Sequence, residues 1–454
     1  MTTMVTVSQY LSYFKDRRLI NIFAFGISSG FPWVLIGSVM SAWLKDEGLS
    51  RSMIGLFGIV FVCYSINFLW SPLVDRVKLP LLHKRLGQRR SWILLSQVCI
   101  LFATLWLSQV DIQNQLYSVA LCCFVIALAG ATQDIAIDAF RIDTLDENET
   151  HKTTAAATMA TSGWWTGYAL LGAMPFYIAD LPSWQWTHVY FVLAIVMLTL
   201  MLGVFFAKEP KSNREYVHKA LEAEFIQNDS SLTKRIGAWL WVTVAAPIQS
   251  FFSRNGVKTA LALLAFIFLF KIGEAFLGRM SIVFYKEIGF SNSQIATYSK
   301  LGTGLITIVF AFLGSLFNSR YGIVKGLFIS GIAMAASNLM FSLIAMVGPK
   351  ESLYAMAILV DGFTQAWSLV AMVAFISMLC DRAFSATHYA LLASLGNLGR
   401  TLLSGSSGYL VDYLEGNWAL FFLITALMVI PSLVFLYVIK DRLMALETDF
   451  YKKQ

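Results

Sequence analysis

Apolar stretches of about twenty residues recur twelve times along this chain, separated mostly by short polar turns. A helix needs about 20 apolar residues to cross the hydrocarbon of a bilayer. The stretches fall at roughly 19–43, 53–75, 92–110, 116–140, 153–178, 186–207, 259–285, 293–317, 325–347, 352–378, 388–411 and 417–439. Only 13% of the residues are charged, against about 25% in a soluble domain. The expected fold class is therefore all-α, a polytopic membrane protein of twelve transmembrane helices. The first eighteen residues are polar and run directly into a full-length span, so a cleavable signal peptide is not expected. Cys63, Cys99, Cys122, Cys123 and Cys380 lie in or beside apolar stretches, without CxxC or metal spacing. Neither a disulfide framework nor a metal site is expected, and no other cofactor.

Lys and Arg set the orientation. With the N-terminus in the cytoplasm, 26 of the 34 Lys and Arg fall on cytoplasmic segments. Four lie in outer loops (Lys45, Arg51, Lys286, Lys350) and four inside spans. Both termini are thus expected to be cytoplasmic. The net charge of +7 and pI near 9.0 then reflect topology, and no basic–aromatic pattern points to nucleic acid.

Two acids lie inside the fourth stretch. Asp134 and Asp138 are four residues apart, hence on one helix face. Each would cost about 2.5–3.5 kcal/mol at the centre of a lipid-exposed helix, so that face must turn toward protein or water. Other charges sit within spans: Lys271, Glu274 and Arg279 in the seventh, Lys300 in the eighth, Asp361 in the tenth and Arg400 in the eleventh. At 1.5 Å per residue, Asp361 lies about 14 Å below the outer end of its helix. Lys271 and Glu274 lie about 18 and 22 Å above the inner end of theirs, and Asp134 roughly 10 Å from the cytoplasmic end. The first three are near the midplane, where transporters bind their cargo.

Six spans, a long connection and six more spans resemble the layout of the major facilitator superfamily, whose halves repeat about an axis along the membrane normal. The predicted units are a six-helix bundle at 1–207, a linker with an amphipathic interfacial helix at 208–258, a second bundle at 259–439 and a tail at 440–454. The stretch 235–252 is too short for a span and is interrupted by Pro247, which fits an interfacial helix. The loop SPLVDRVKLPLLHKRLGQRRSW partly matches the superfamily's pattern after span two, with Asp75 and Arg76, then Arg89 and Arg90. Such a loop can act as a gate, an Asp-to-Arg latch at a helix end. The second half keeps only Arg320, Gly322, Lys325 and Gly326.

Several segments together resemble the AmpG family of muropeptide permeases: FLWSPLVDR (68–76), ATQDIAIDAFRIDTL (131–145), VAAPIQSFFSRN (244–255), FKIGEAF (270–276) and FSATHYALLASLGNLGR (384–400). The matches span nearly the whole chain. Some family members carry extra C-terminal helices, and this chain ends after the twelfth stretch. The resemblance implies import of peptidoglycan fragments (GlcNAc-1,6-anhydroMurNAc and its peptides) across the bacterial inner membrane, coupled to protons. The expected partners are that substrate, protons and the bilayer; the protein is expected to be a monomer and not an enzyme.

In the superfamily, spans one, four, seven and ten line the cavity. A carboxyl group in a low-dielectric cavity can exchange a proton near neutral pH, which makes Asp134, Glu274, Asp361 and Asp138 the proton-coupling candidates. For Asp138, close to Arg141 and the cytoplasm, a structural pair is the stronger reading, and Lys271 with an acid also fits a permanent ion pair. For the sugar, Gln133, Asn397 and Ser404 offer hydrogen bonds and Trp33, Trp164 and Trp165 offer stacking faces. Lys271 and Arg400 offer charge to a substrate carboxylate. Packing is the competing explanation for each Trp. Gly26, Gly30, Gly163, Gly167, Gly396, Gly399, Gly405 and Gly408 form small-xxx-small spacings that permit close helix contact. Three rival functions remain: another cargo such as acetyl-CoA, a lipid-linked sugar transferase using the acidic loop at 142–152, and a fragment sensor that moves nothing.

Overall fold

The computed structural model describes residues 6–49, 53, 56–179, 181–210, 214–223, 237–290, 294, 303–404 and 406–452. It is 87% helical and has no strands among those residues. Nine described helices are long and apolar enough to cross a membrane. The stretches outside that set, near 56–76, 153–179 and 385–413, are helical but interrupted. Lys300, Gly405 and much of the start of the eighth apolar stretch lie outside the described residues.

A short helix, α1 (Val7–Tyr13), opens the chain, closed by a capping box in which Thr6 and Gln9 satisfy each other's backbone N–H. The first bundle then comprises α2 (17–46), α3 (56–76), α4 (Gln88–Leu107), α5 (Leu116–Thr144), α6 (153–179) and α7 (Trp186–Phe206). The linker holds α8 (Arg214–Ala223) and α9 (237–255). The second bundle comprises α10 (Val257–Ile288), α11 (Thr303–Tyr321), α12 (Ile323–Val347), α13 (Glu351–Leu379), α14 (385–413) and α15 (Trp418–Val438). α16 (Lys440–Lys452) follows.

The two bundles repeat one packing scheme. In the first, α2 packs on α6, α4 on α5 and α7 on α4; in the second, α10 packs on α14, α12 on α13 and α15 on α12. Within hydrocarbon such contacts are driven by close packing and interhelical hydrogen bonds. α2 and α6 show this most directly. A Cβ on Gly30 would meet the Trp164 carbonyl oxygen at 2.2 Å, and one on Gly163 would meet the Phe23 carbonyl oxygen at 2.3 Å. These glycines let two backbones touch.

A second repeat concerns helix ends. Glu209, just after α7, accepts the backbone N–H groups of Arg89 (2.7 Å) and Arg90 (3.1 Å) at the start of α4. Glu447, in α16, accepts that of Ile323 (2.5 Å) at the start of α12. A carboxylate there satisfies orphan donors and meets the positive end of the helix dipole. Gly87 and Gly322 precede the two helices with φ of +85° and +100°, a region glycine enters without steric cost.

Three long helices are irregular where charges or aromatics cluster. α2 contains a π segment at Val34–Val39 and α6 one at Thr166–Leu170; π segments are frequent at functional sites. α10 breaks at Phe270 and Lys271, so a new helix starts at Ile272 with Glu274 in its first turn. α9 is amphipathic in contact as well as in sequence. It buries Val242, Pro247 and Phe251 and exposes Leu240, Trp241, Val244 and Ile248.

The bundles meet along α6 with α11 and α13, and along α14 with α3 and α5. At the end carrying the termini and linker, α1 reaches across: the Tyr10 hydroxyl donates to the Phe312 carbonyl at 3.3 Å, and the Phe14 and Phe312 rings stand 5.1 Å apart.

Candidate functional site

Of the four residues expected to form the gate, Asp75 and Arg89 sit in a buried ionic knot between the halves. Asp75, at the end of α3, accepts from Arg89 Nη2 at 2.8 Å. The same carboxylate caps the N-terminus of α14, taking the Thr387 hydroxyl (2.6 Å) and the backbone N–H groups of Thr387 (2.9 Å) and Ala386 (3.3 Å). Arg89 also donates to Asp143 at 2.9 Å and to Ser385 Oγ at 2.8 Å. Arg89 is fully buried, so its charge needs both carboxylates. Arg76 instead pairs with Glu222 of α8. On the same linker helix His218 bonds to the Ala383 carbonyl at 2.9 Å and stacks on Phe384. Arg90 serves α7, donating to the Val204 (3.2 Å) and Ala207 (2.5 Å) carbonyls at its C-terminus. Among the described residues Arg320 makes no matching latch in the second half; it is exposed and lies over the Tyr321 ring.

Farther into the first bundle, Asp134 accepts the Ser29 hydroxyl at 2.6 Å. Asp138 pairs with Arg141 at 3.1 Å. Arg141 reaches across the seam to Ser377 Oγ (2.7 Å), and its guanidinium lies over the Tyr389 ring. Gln133 is fully buried and donates to the Ser28 carbonyl at 2.7 Å, while Gln97 donates to Ser28 Oγ at 2.7 Å. In this state Gln133 joins α5 to α2 and does not face open space. Trp33 and Trp165 each directly precede a π segment. Trp33 lies against Phe61, Tyr64 and Trp164, with centroids 4.7, 4.6 and 6.0 Å away. Trp164 stacks on Tyr168 at 4.9 Å.

In the second bundle Lys271 donates to Glu274 at 2.7 Å, and Arg400 stands 3.8 Å from the same carboxylate. The helix break places Glu274 at the positive end of a half-helix inside the bundle. Asp361 accepts from Gln365 Nε2 (2.6 Å) and Ser337 Oγ (3.1 Å). Asn397 is exposed and Ser404 buried. A second contact between halves sits nearby: Ser394 Oγ donates to Asn67 Oδ1 at 2.8 Å.

The sequence reading did not single out Ser29, Tyr64, Thr387, Tyr389 or Glu222 for these positions. Hydroxyls and aromatics are ordinary in apolar helices, so nothing in their spacing marks them. Glu209 and Glu447 did carry a signal: each is an acid just past the last apolar stretch of its half.

The arrangement can hold carboxylates away from lipid in both halves and change their partners if the halves rock. The family model of the Major Facilitator Superfamily matches residues 22–360. A putative transporter AmpG 4 of Rickettsia conorii is 34% identical over 93% of this chain and 96% of its own length. The anhydromuropeptide permease of Escherichia coli K12 is 30% identical over 96% of this chain and 82% of its own. Among solved structures, the proton:xylose symporter XylE superposes with a TM-score of 0.63 at 14% identity, over 95% of this chain and 96% of its own. That fold and these charged interiors define a membrane transporter, not an enzyme. The chain belongs to the AmpG-like anhydromuropeptide permease family of the major facilitator superfamily.

Proposed function

We propose that this protein imports peptidoglycan fragments, GlcNAc-1,6-anhydroMurNAc and its peptide-bearing forms, from periplasm to cytoplasm by proton symport. The observation that carries the reading is a carboxylate inside each bundle, Asp134 hydrogen-bonded to Ser29 in the first and Glu274 between Lys271 and Arg400 in the second. The kinship to an anhydromuropeptide permease supports this choice of cargo. The chain crosses the inner membrane twelve times with both termini cytoplasmic, because most Lys and Arg then face the cytoplasm. The bundles are 1–207 and 259–439, α9 rests at the interface on its exposed apolar face, and the protein works as a monomer. In this state the Asp75–Arg89–Thr387 knot closes the cytoplasmic side. Rocking breaks the knot, exposes Lys271 and Arg400 to a substrate carboxylate, and lets Glu274 and Asp134 exchange protons. The aromatic group around Trp33 and Trp164 takes the sugar face, with Asn397 and Ser404 for its hydroxyls.

Uptake of labelled disaccharide by Asp134→Asn and Glu274→Gln, measured across pH, tests the coupling. Loss of gradient-driven accumulation in at least one supports it. Normal proton-driven accumulation in both would remove these residues from the mechanism.

A further inference from the structure

We infer that Tyr64 is a positioning residue for proton coupling: its hydroxyl is a second hydrogen-bond donor to the Asp134 carboxylate, taking over from Ser29 when the cytoplasmic seam opens. The inference rests on the reading of Asp134 as a proton carrier. In the closed state Asp134 accepts the Ser29 hydroxyl at 2.6 Å. Tyr64 is 6% exposed, and its hydroxyl has no hydrogen-bond partner among the described residues. Buried hydroxyls are almost always satisfied, and one left unpaired costs stability. A phenylalanine would fill the same space without that cost, so the hydroxyl calls for a partner in another state.

The place of the hydroxyl identifies that partner. A Cβ on Gly130 would lie 2.3 Å from it, so the oxygen rests directly on α5, in the space that the glycine leaves. Asp134 follows Gly130 by four residues and shares its face, where Cβ positions are about 5–6 Å apart. Helical side chains lean toward the N-terminus and cover the preceding turn. The Asp134 carboxylate therefore lies over the turn that carries Gly130, and a rotation of its side chain exchanges Ser29 for Tyr64. The other titratable groups facing Asp134 are Asp138 and Arg141 on α5, Tyr389 on α14 and Cys63 beside Tyr64. Asp138 and Arg141 pair with each other, Tyr389 is engaged with both, and a thiol is a weak donor. Tyr64 is the donor left for Asp134. It also stands where the seam can move it. Its α-helical segment, Val62–Ile66, is flanked by 3₁₀ turns at Gly58–Phe61 and Asn67–Leu69, and mid-helix 3₁₀ stretches often mark hinges. Asn67, three residues on, accepts Ser394 of the second half at 2.8 Å, so opening the seam frees the same short segment.

The test compares gradient-driven uptake of the labelled disaccharide across pH by wild type, Tyr64→Phe and Asp134→Asn in proteoliposomes, together with the thermal midpoints of the purified proteins. A donor to the ionised carboxylate favours release of the proton, and losing it moves release to higher pH. Tyr64→Phe should therefore shift the pH of half-maximal uptake up by about one unit. Its KM and thermal midpoint should stay at the wild-type values, because the ring is kept and the hydroxyl is unpaired in the closed state. A wild-type pH profile in Tyr64→Phe, with or without a lower thermal midpoint, would overturn the inference. So would a raised KM with an unshifted profile, which would put the hydroxyl on the substrate instead. Asp134→Asn separates the two levels. If it keeps normal proton-driven accumulation, the reading of Asp134 falls and this inference with it. If it loses accumulation while Tyr64→Phe follows the wild-type profile, only the inference falls.

Discussion

Lys271 Nζ donates to Glu274 Oε2 at 2.7 Å, with the two side chains only 11% and 9% exposed, at the point where α10 breaks. Removing one partner of a buried pair strands the other charge and costs about 3–5 kcal/mol, whereas removing both costs much less. Arg400, 3.8 Å from Glu274, softens the first loss without cancelling it. Lys271→Ala should therefore lower the thermal midpoint of the purified protein more than Lys271→Ala combined with Glu274→Ala. A double variant no more stable than the single one would show that the pair is already solvated.

Asp75 holds the seam through the start of α14. A hydrogen bond to a charged group contributes about 1.5–3 kcal/mol, and 1.4 kcal/mol is tenfold in a ratio. Asp75→Ala should thus shift the closed–open balance by about tenfold or more. The readout is maleimide labelling of Ser394→Cys, placed at the Asn67 contact, in a background without the five native cysteines. Faster labelling in the Asp75 variant is expected; an unchanged rate would mean the knot does not hold the seam.

Acid should loosen the first bundle at its loop-bearing end. Hydrogen bonds from the Arg18 guanidinium hold the Glu149 carboxyl down at about 2 and the Asp16 carboxyl well below the usual carboxylate range. Lys152 joins both, at 2.8 and 2.9 Å. Acids with depressed folded-state pKa values stabilise fully above their unfolded values, 4.5 for Glu and 3.8 for Asp. That contribution fades as pH falls toward 2. Wild-type stability should therefore drop more steeply below pH 4.5 than that of Arg18→Ala, which starts lower at neutral pH. Parallel pH profiles would contradict the cluster's role.

Gly30→Ala should separate two helices. The new Cβ would lie 2.2 Å from the Trp164 carbonyl oxygen, a backbone atom that cannot step aside. Overpacking of this kind costs about 1–3 kcal/mol, and uptake should fall with the thermal midpoint. Gly203→Ala, which meets nothing within 4 Å, should change neither. A neutral Gly30→Ala would mean α2 and α6 do not pack this closely.

The bundle architecture was legible because hydrophobicity alone marks a span, and the buried charges were legible because they are rare within such spans. Asp75 and Arg89 were found from one loop. What the sequence did not show was partnership. Arg76 and Arg90 stood beside them as equal members of the gate, yet each satisfies a different neighbour, Glu222 in one case and carbonyls at the end of α7 in the other. Gln133 read as a group for sugar hydroxyls because its amide is polar, but which face it shares with Ser28 depends on how α5 is rotated. The break at Lys271 had no Pro to announce it, whereas the π segments at Val34–Val39 and Thr166–Leu170 did carry a local signal, Pro32 just before the first and Gly167 within the second.

The most direct test is uptake of labelled GlcNAc-1,6-anhydroMurNAc into proteoliposomes containing this protein alone, with and without an inward proton gradient. Accumulation above equilibrium that appears only with the gradient is the predicted result. Equal, non-concentrative uptake in both conditions would contradict proton coupling. No uptake by correctly folded protein would contradict the cargo.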